Sequence, residues 1–205
     1  MSETSEFCTF WQTLLPNFSA SELDSIEQLY PDPKFDPKSP YKETCEGLGA
    51  QSRRIEAAYG HYAYVAPVRQ TAHLASSQGG LVHLYHWALP RSILDASHAD
   101  NMYYETYNKD IREISESQKA LSGTLHAYLT SFIATGNPNT VRGRYPHRPE
   151  WSPFEQRDQK FMHFGKDNEE LIGEDVAPPA KIVVDDWARE ETEFWWSKTD
   201  LSEQA

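Results

Sequence analysis

The sequence predicts an α/β fold, rich in helix, whose few strands make one side of a larger sheet and leave its centre incomplete. Three observations predict it. Apolar residues recur at helical spacing from Phe7 to His73, and again over residues 111–135. Residues 81–87 are apolar and aromatic on both faces, the pattern of a strand buried within a sheet. Only about three strands can be read, far apart in the chain, and a sheet of that size is marginal and open along its outer edges.

The elements run in order along the chain. Phe7, Phe10, Trp11 and Leu14 fall at i, i+3, i+4 and i+7, one apolar stripe that Pro16 ends. Ser19 with Glu22 three residues on reads as a capping box, opening a helix lined by Leu23, Ile26 and Tyr30. The triplet Asn17-Phe18-Ser19 has the form of a glycosylation sequon, but it reads first as that helix start. Pro31, Pro33, Pro37 and Pro40 make the next stretch an extended loop. A helix resumes at Gln51, is interrupted near Gly60 and restarts around Pro67. A turn at 76–80 enters the strand 81–87, and a loop with Pro90 leads to Asp95, His98 and Asp100. Residues 111–135 read as one long helix ended by Gly136 and Pro138, and 146–153 as a loop. Residues 161–164 and 170–173 read as two short strands around a turn, and 188–198 as a final helix. No internal repeat is present.

Composition narrows the function. The 205 residues are enough for one domain or most of one. Yet only 39% are hydrophobic and the mean hydropathy is −0.70, polar for a self-contained globule. No run of apolar residues is long enough to span a membrane. Residues 1–6 are polar and acidic, which predicts no secretory signal peptide and leaves the compartment open. Nineteen Lys and Arg against 31 Asp and Glu give a net charge of −12, which repels nucleic acid and anionic membranes. Cys8 and Cys45 allow one disulfide at most and no Cys-x-x-Cys site.

Eight histidines invite a metal. His83 and His86 lie three apart on an expected strand, so they face opposite ways, and no Cys or carboxylate accompanies them. His61, His126, His147 and His163 each stand alone among packed residues, and no metal site is expected. Serine catalysis can be tested on the glycines. No two of the ten are four apart, so Gly-x-Ser-x-Gly, the strand-to-helix elbow, occurs nowhere, and no His-Gly-Gly-Gly loop supplies oxyanion-hole amides. His98 differs from the other histidines: it comes after a strand, in a loop of small residues, where open α/β sheets place a general base. Ser97, His98 and Asp100 make a poor self-sufficient set, because adjacent residues rarely aim at one another as nucleophile and base must.

The motifs, taken together, resemble those of a known family. Ile26-Glu-Gln-Leu-Tyr-Pro31, Tyr64-Val-Ala-Pro67-Val-Arg69, Leu84-Tyr85-His86-Trp87, Ala96-Ser97-His98, Phe132-Ile-Ala-Thr-Gly136-Asn-Pro-Asn139 and Trp151-Ser-Pro-Phe154 run in the family's order. The chain resembles the C-terminal portion of a type B carboxylesterase, the cholinesterase-like branch of the α/β-hydrolases, and most of all its fungal members. The resemblance covers almost all of residues 1–205 as one portion of a single domain. It implies a serine esterase or lipase type of activity on a small-molecule ester, with no cofactor and with His98 as the triad histidine. The sequence departs from the family at Asp95, where glycine is usual. The elbow serine, oxyanion loop and acidic triad member lie upstream of this portion in the family. The expectation is therefore a chain inactive alone and completed by an N-terminal fragment or protein partner. The alternative is a non-catalytic interaction module, whose acidic surface would suit a basic partner.

Overall fold

The structure, a computed structural model, describes residues 1–90 and 96–202. In chain order its helices are α1 (Thr4–Leu14), α2 (Ala20–Leu29), α3 (Ser52–Gly60), α4 (Ala66–Ser77), α5 (Asp100–Glu105), α6 (Lys109–Arg112), α7 (Glu116–Thr135), α8 (Arg189–Ser197) and α9 (Thr199–Ser202). The strands are β1 (Tyr85–Trp87), β2 (Lys160–Phe164) and β3 (Ala180–Val184). Two compact units result, one of Met1–Leu74 with the segment from Asp186 onward, the other of Ala75–Asp185. None of the described helices is long and apolar enough to cross a membrane.

In the first unit the expected capping box is present: Ser19 accepts from the Glu22 N–H, and the Glu22 carboxylate accepts from the Ser19 N–H at 2.7 Å. The stripe of α1 then buries Phe7 and Trp11 against Ile26, Tyr30, Ala58 and Trp195. Trp11 and Trp195 lie 4.8 Å apart, and the Trp195 indole donates to the Tyr30 hydroxyl at 2.9 Å. Arg54 is buried in this core with its charge matched. It donates to the Tyr30 carbonyl at 2.6 Å, reaches the Asp32 carboxylate at 3.4 Å and lies 3.7 Å over the Phe7 ring.

The expected interruption near Gly60 is instead a widened turn. His61–Val65 is π-helical, the Ala66 N–H bonding to the His61 carbonyl, so α3 and α4 run on without a break. Pro67 has no N–H to give the ladder, and the helix takes the turn before it at five-residue spacing.

The second unit is built on its sheet, ordered β1-β2-β3. β1 pairs with β2 in parallel, Tyr85 opposite Met162 and Trp87 opposite Phe164; β2 pairs with β3 antiparallel, Met162 opposite Ile182. Alternation then puts Tyr85, Trp87, Met162, Phe164, Ala180 and Ile182 on one face, where they pack with Leu121, Leu125 and Tyr128 of α7 and with Trp151. The segment after α7 explains two of the motifs. Gly136 ends the helix in the left-handed conformation, φ 74°. The Asn139 side chain then clasps the Trp151 backbone, donating to its carbonyl at 2.9 Å and accepting from its N–H at 2.8 Å. Held so, the Trp151 indole donates to the Leu84 carbonyl just before β1 at 3.1 Å.

Five stretches differ from expectation. The strand read at 81–87 is ladder-paired only at 85–87, because Val82 gives its carbonyl to the Phe154 N–H outside the sheet. The helix read at 111–135 starts at Glu116, where Ser115 caps it by accepting from the Gln118 N–H at 3.1 Å; Ile111 belongs to the separate turn α6. Residues 170–172 form a 3₁₀ turn, ended by Gly173 at φ 89°. The antiparallel partner of β2 is 180–184, beyond Pro178 and Pro179. The segment 100–105, read as loop, is helical.

Candidate functional site

The sequence singles out His98, and the structure places it, exposed, in the turn that leads from β1 into α5. The turn has its own fixings. The Ser97 N–H donates to one Asp100 carboxylate oxygen at 3.0 Å, and the Asp100 N–H returns to the Ser97 carbonyl at 3.2 Å. Ala99 takes a left-handed conformation, φ 71°, uncommon for a residue with a Cβ and costly by about 1 kcal/mol or more. Its carbonyl accepts from the Met102 N–H at 3.1 Å as α5 begins. Residues 91–95, and with them the departure at Asp95, lie outside the described residues.

The helix just past His98 is tied to the sheet. Asn101 donates to the Tyr85 hydroxyl of β1 at 3.1 Å and to the Glu105 carboxylate at 2.5 Å, while the Tyr85 hydroxyl donates to that same carboxylate oxygen at 2.9 Å. Burial and then the Glu105 charge push the Tyr85 phenol well above its ordinary range, so it stays a neutral donor. Next to this knot, Tyr104 is fully buried under the Trp87 ring, 4.7 Å between centroids, and its hydroxyl donates to Gln118 at 2.7 Å. The ring of His126 donates from Nδ1 to the Glu105 carbonyl at 2.7 Å. One short helix is thus fixed to β1 at one side and to α7 at the other. The sequence reading missed Tyr85, Asn101 and Glu105. The available signal was the i, i+4 spacing of Asn101 and Glu105 immediately past His98.

His61, His83, His86 and His163 are packing groups. His83 precedes β1 rather than sharing it with His86, and it lies edge-on to Phe132 and Trp151 at 6.2 and 5.8 Å. His163 is not alone: it sits opposite His86 across the ladder, the rings stacked 4.8 Å apart. Burial, and then the His86 ring, push the His163 pKa down to about 4. His61 meets the Tyr30 hydroxyl at 3.1 Å, and burial with the Arg69 charge lowers it to about 4 as well. Among the described residues no group of three or more His, Cys, Asp or Glu could hold a metal ion. Cys8 and Cys45 are both free thiols; Cys8 donates to Glu27 at 2.6 Å, and burial followed by that carboxylate raises its pKa to about 11.

Comparison with known proteins bears on the family and the fold. The sequence profile of the carboxylesterase family matches residues 38–183. Secreted lipase 4 of Gibberella zeae is 30% identical over 195 residues, which cover 94% of this chain and 32% of the lipase. The crystal structure of EstA from Aspergillus niger superposes with a TM-score of 0.74 at 20% identity, over 99% of this chain and 37% of that one. At that identity the likeness speaks for the fold, that of an α/β-hydrolase. The chain spans about a third of the length of each of these two relatives.

Proposed function

The chain belongs to the carboxylesterase family, and from that premise we propose that residues 1–205 are the C-terminal portion of one carboxylic ester hydrolase domain, with His98 as the histidine of its catalytic triad. The observation that carries this reading is the tie from Asn101 to Tyr85, which fixes the loop of His98 to the strand before it while His98 itself is exposed. A general base must be held in place yet reachable by the group it deprotonates.

In the completed site a serine hydroxyl attacks the ester carbonyl carbon as its proton passes to a ring nitrogen of His98. The carbon–oxygen bond to the alcohol then breaks as His98 returns that proton to the departing oxygen. Water repeats the sequence on the acyl-enzyme and releases the carboxylic acid. An acidic residue at the other ring nitrogen orients the imidazole. No Gly-x-Ser-x-Gly occurs in these residues, so the serine, the oxyanion loop and the acid come from another segment, and this chain by itself turns over no ester.

The test pairs hydrolysis of a short-chain p-nitrophenyl ester with fluorophosphonate labelling read by intact mass. The expected result for this chain alone is no turnover and no adduct, with turnover restored by an elbow-bearing segment. Turnover with a single covalent adduct on the lone chain would overturn the division of the triad, and Ser97 would be the first residue to map. If a completing segment restores nothing while the chain is folded and monomeric, the non-catalytic interaction module is the better reading.

A further inference from the structure

Residues 117–149 contain no aspartate or glutamate, in a chain that holds 31 acids and a net charge of −12. They carry Lys119, Arg142, Arg144 and Arg148 instead. This acid-free stretch folds into most of α7 and the loop after it, and between them lies a cleft of about 250 Å³. That is close to the lower end of small-ligand sites, roughly 300 Å³.

The cleft is built, not left over. Its floor is the small-residue side of α7, including Gly123 and Ala127. At Gly123 an added Cβ would stand 1.9 Å from the Tyr145 hydroxyl oxygen, so the glycine is what lets the Tyr145 ring lie against the helix. The opposite wall is Tyr107, held in the left-handed conformation at φ 54° and stacked on His126 with ring centroids 5.8 Å apart. A strained bulky residue persists only where its surroundings enforce it. Here Arg112 lies 4.7 Å over its ring.

The cations of the stretch are mostly engaged elsewhere. Arg148 is buried and donates to the carbonyls of Pro138, Val141 and Tyr145; Arg142 donates to the Arg148 carbonyl; Lys119 pairs with Glu116 at 3.0 Å. Arg144 is exposed, lines the cleft and makes no ion pair among the described residues. It comes directly after Gly143, which is itself left-handed at φ 56°.

We propose that this cleft binds a small amphiphilic anion: an apolar body about the size of a medium-length acyl chain or an aryl ring, bearing one carboxylate. The body lies on Ala127 and Tyr145, and the carboxylate meets the Arg144 guanidinium, whose planar fork matches it. The remainder of the chain repels anions, whereas this stretch lacks the acids that would do so. The proposal does not depend on the role of His98.

Equilibrium dialysis of radiolabelled octanoate against the purified chain tests it, since dialysis reads binding whatever the association state. One saturable site is expected, with octanol and octylamine binding at least tenfold more weakly. Arg144→Glu is expected to weaken octanoate tenfold or more, while Lys38→Glu, the same charge change on the exposed surface of the other unit, leaves it within twofold. Ala127→Phe fills the floor and should abolish binding; Thr130→Trp blocks the cleft from an exposed position and decides the matter if Ala127→Phe fails to fold. Uptake that never saturates, equal affinity for octylamine, indifference to Arg144→Glu, or binding that survives a folded cleft-filling variant would each overturn the assignment.

Discussion

Past the end of β1, His98 is exposed, while Tyr85, Asn101 and Glu105 tie α5 to the strand. In the enzyme completed with a serine-bearing segment, His98→Ala is expected to lower kcat for a p-nitrophenyl ester by about a thousandfold or more. His83→Ala removes a ring packed against Phe132 and Trp151 and should lower Tm while leaving kcat nearly unchanged. If both variants lose activity in proportion to stability, His98 is structural. In the first unit, Arg54→Ala strands Asp32 without its buried counter-charge and is expected to cost about 3–5 kcal/mol in urea unfolding. His98 can be singled out in the sequence because a local run of residues marks it. Its supports cannot, because they are joined by contact between a strand and a helix separated by a loop, and spacing in the chain carries little of that information.

Where an element is specified by its own neighbours, the sequence stated it well. The cap and stripe of α2 and the glycine stop of α7 are such cases. Ser19→Ala and Ser115→Ala each remove a cap and are expected to cost about 1 kcal/mol, read as lowered midpoints in denaturant with unchanged slopes. Where an element is specified from outside itself, the reading erred. Residues 180–184 become a strand because β2 offers them a ladder, and 170–172 become a 3₁₀ turn although they are as apolar as a short strand needs. The widened turn His61–Val65 reads as a break because periodicity registers only that the stripe shifts, not that the hydrogen bonds continue at a longer interval. It also carries His61 into the core beside Tyr30.

At the scale of the whole chain, two histidines, His61 buried and His163 half-buried, set a pH dependence. His61 and His163 have folded-state pKa values near 4, below the unfolded value of about 6.5. Between those limits the unfolded chain binds more protons than the folded one, so stability is full above about pH 6.5 and falls as the pH drops toward 4. Each contributes at most about 1.4 kcal/mol per pH unit, less for the partly exposed His163. Tm measured from pH 7 to pH 5 should fall, and His61→Gln should flatten the slope; an unchanged slope would show that His61 titrates alike in both states. The sheet makes a second prediction at this scale. Among the described residues β1 is paired on one side only, so its outer peptide groups invite another strand, and the isolated chain is expected to self-associate with concentration in sedimentation velocity. A concentration-independent monomer with one sharp, cooperative thermal transition would show that edge to be protected.

The first unit draws its core from both sides of the second: Trp11 is on its first helix, while Trp195, against which it packs, lies beyond all of residues 75–185. A ribosome adding about 5–20 residues per second makes Trp195 roughly 10–40 s after Trp11. For that interval the apolar stripe of α1 lacks the ring it packs against, and whatever shields it during synthesis must stay bound until Trp195 has emerged.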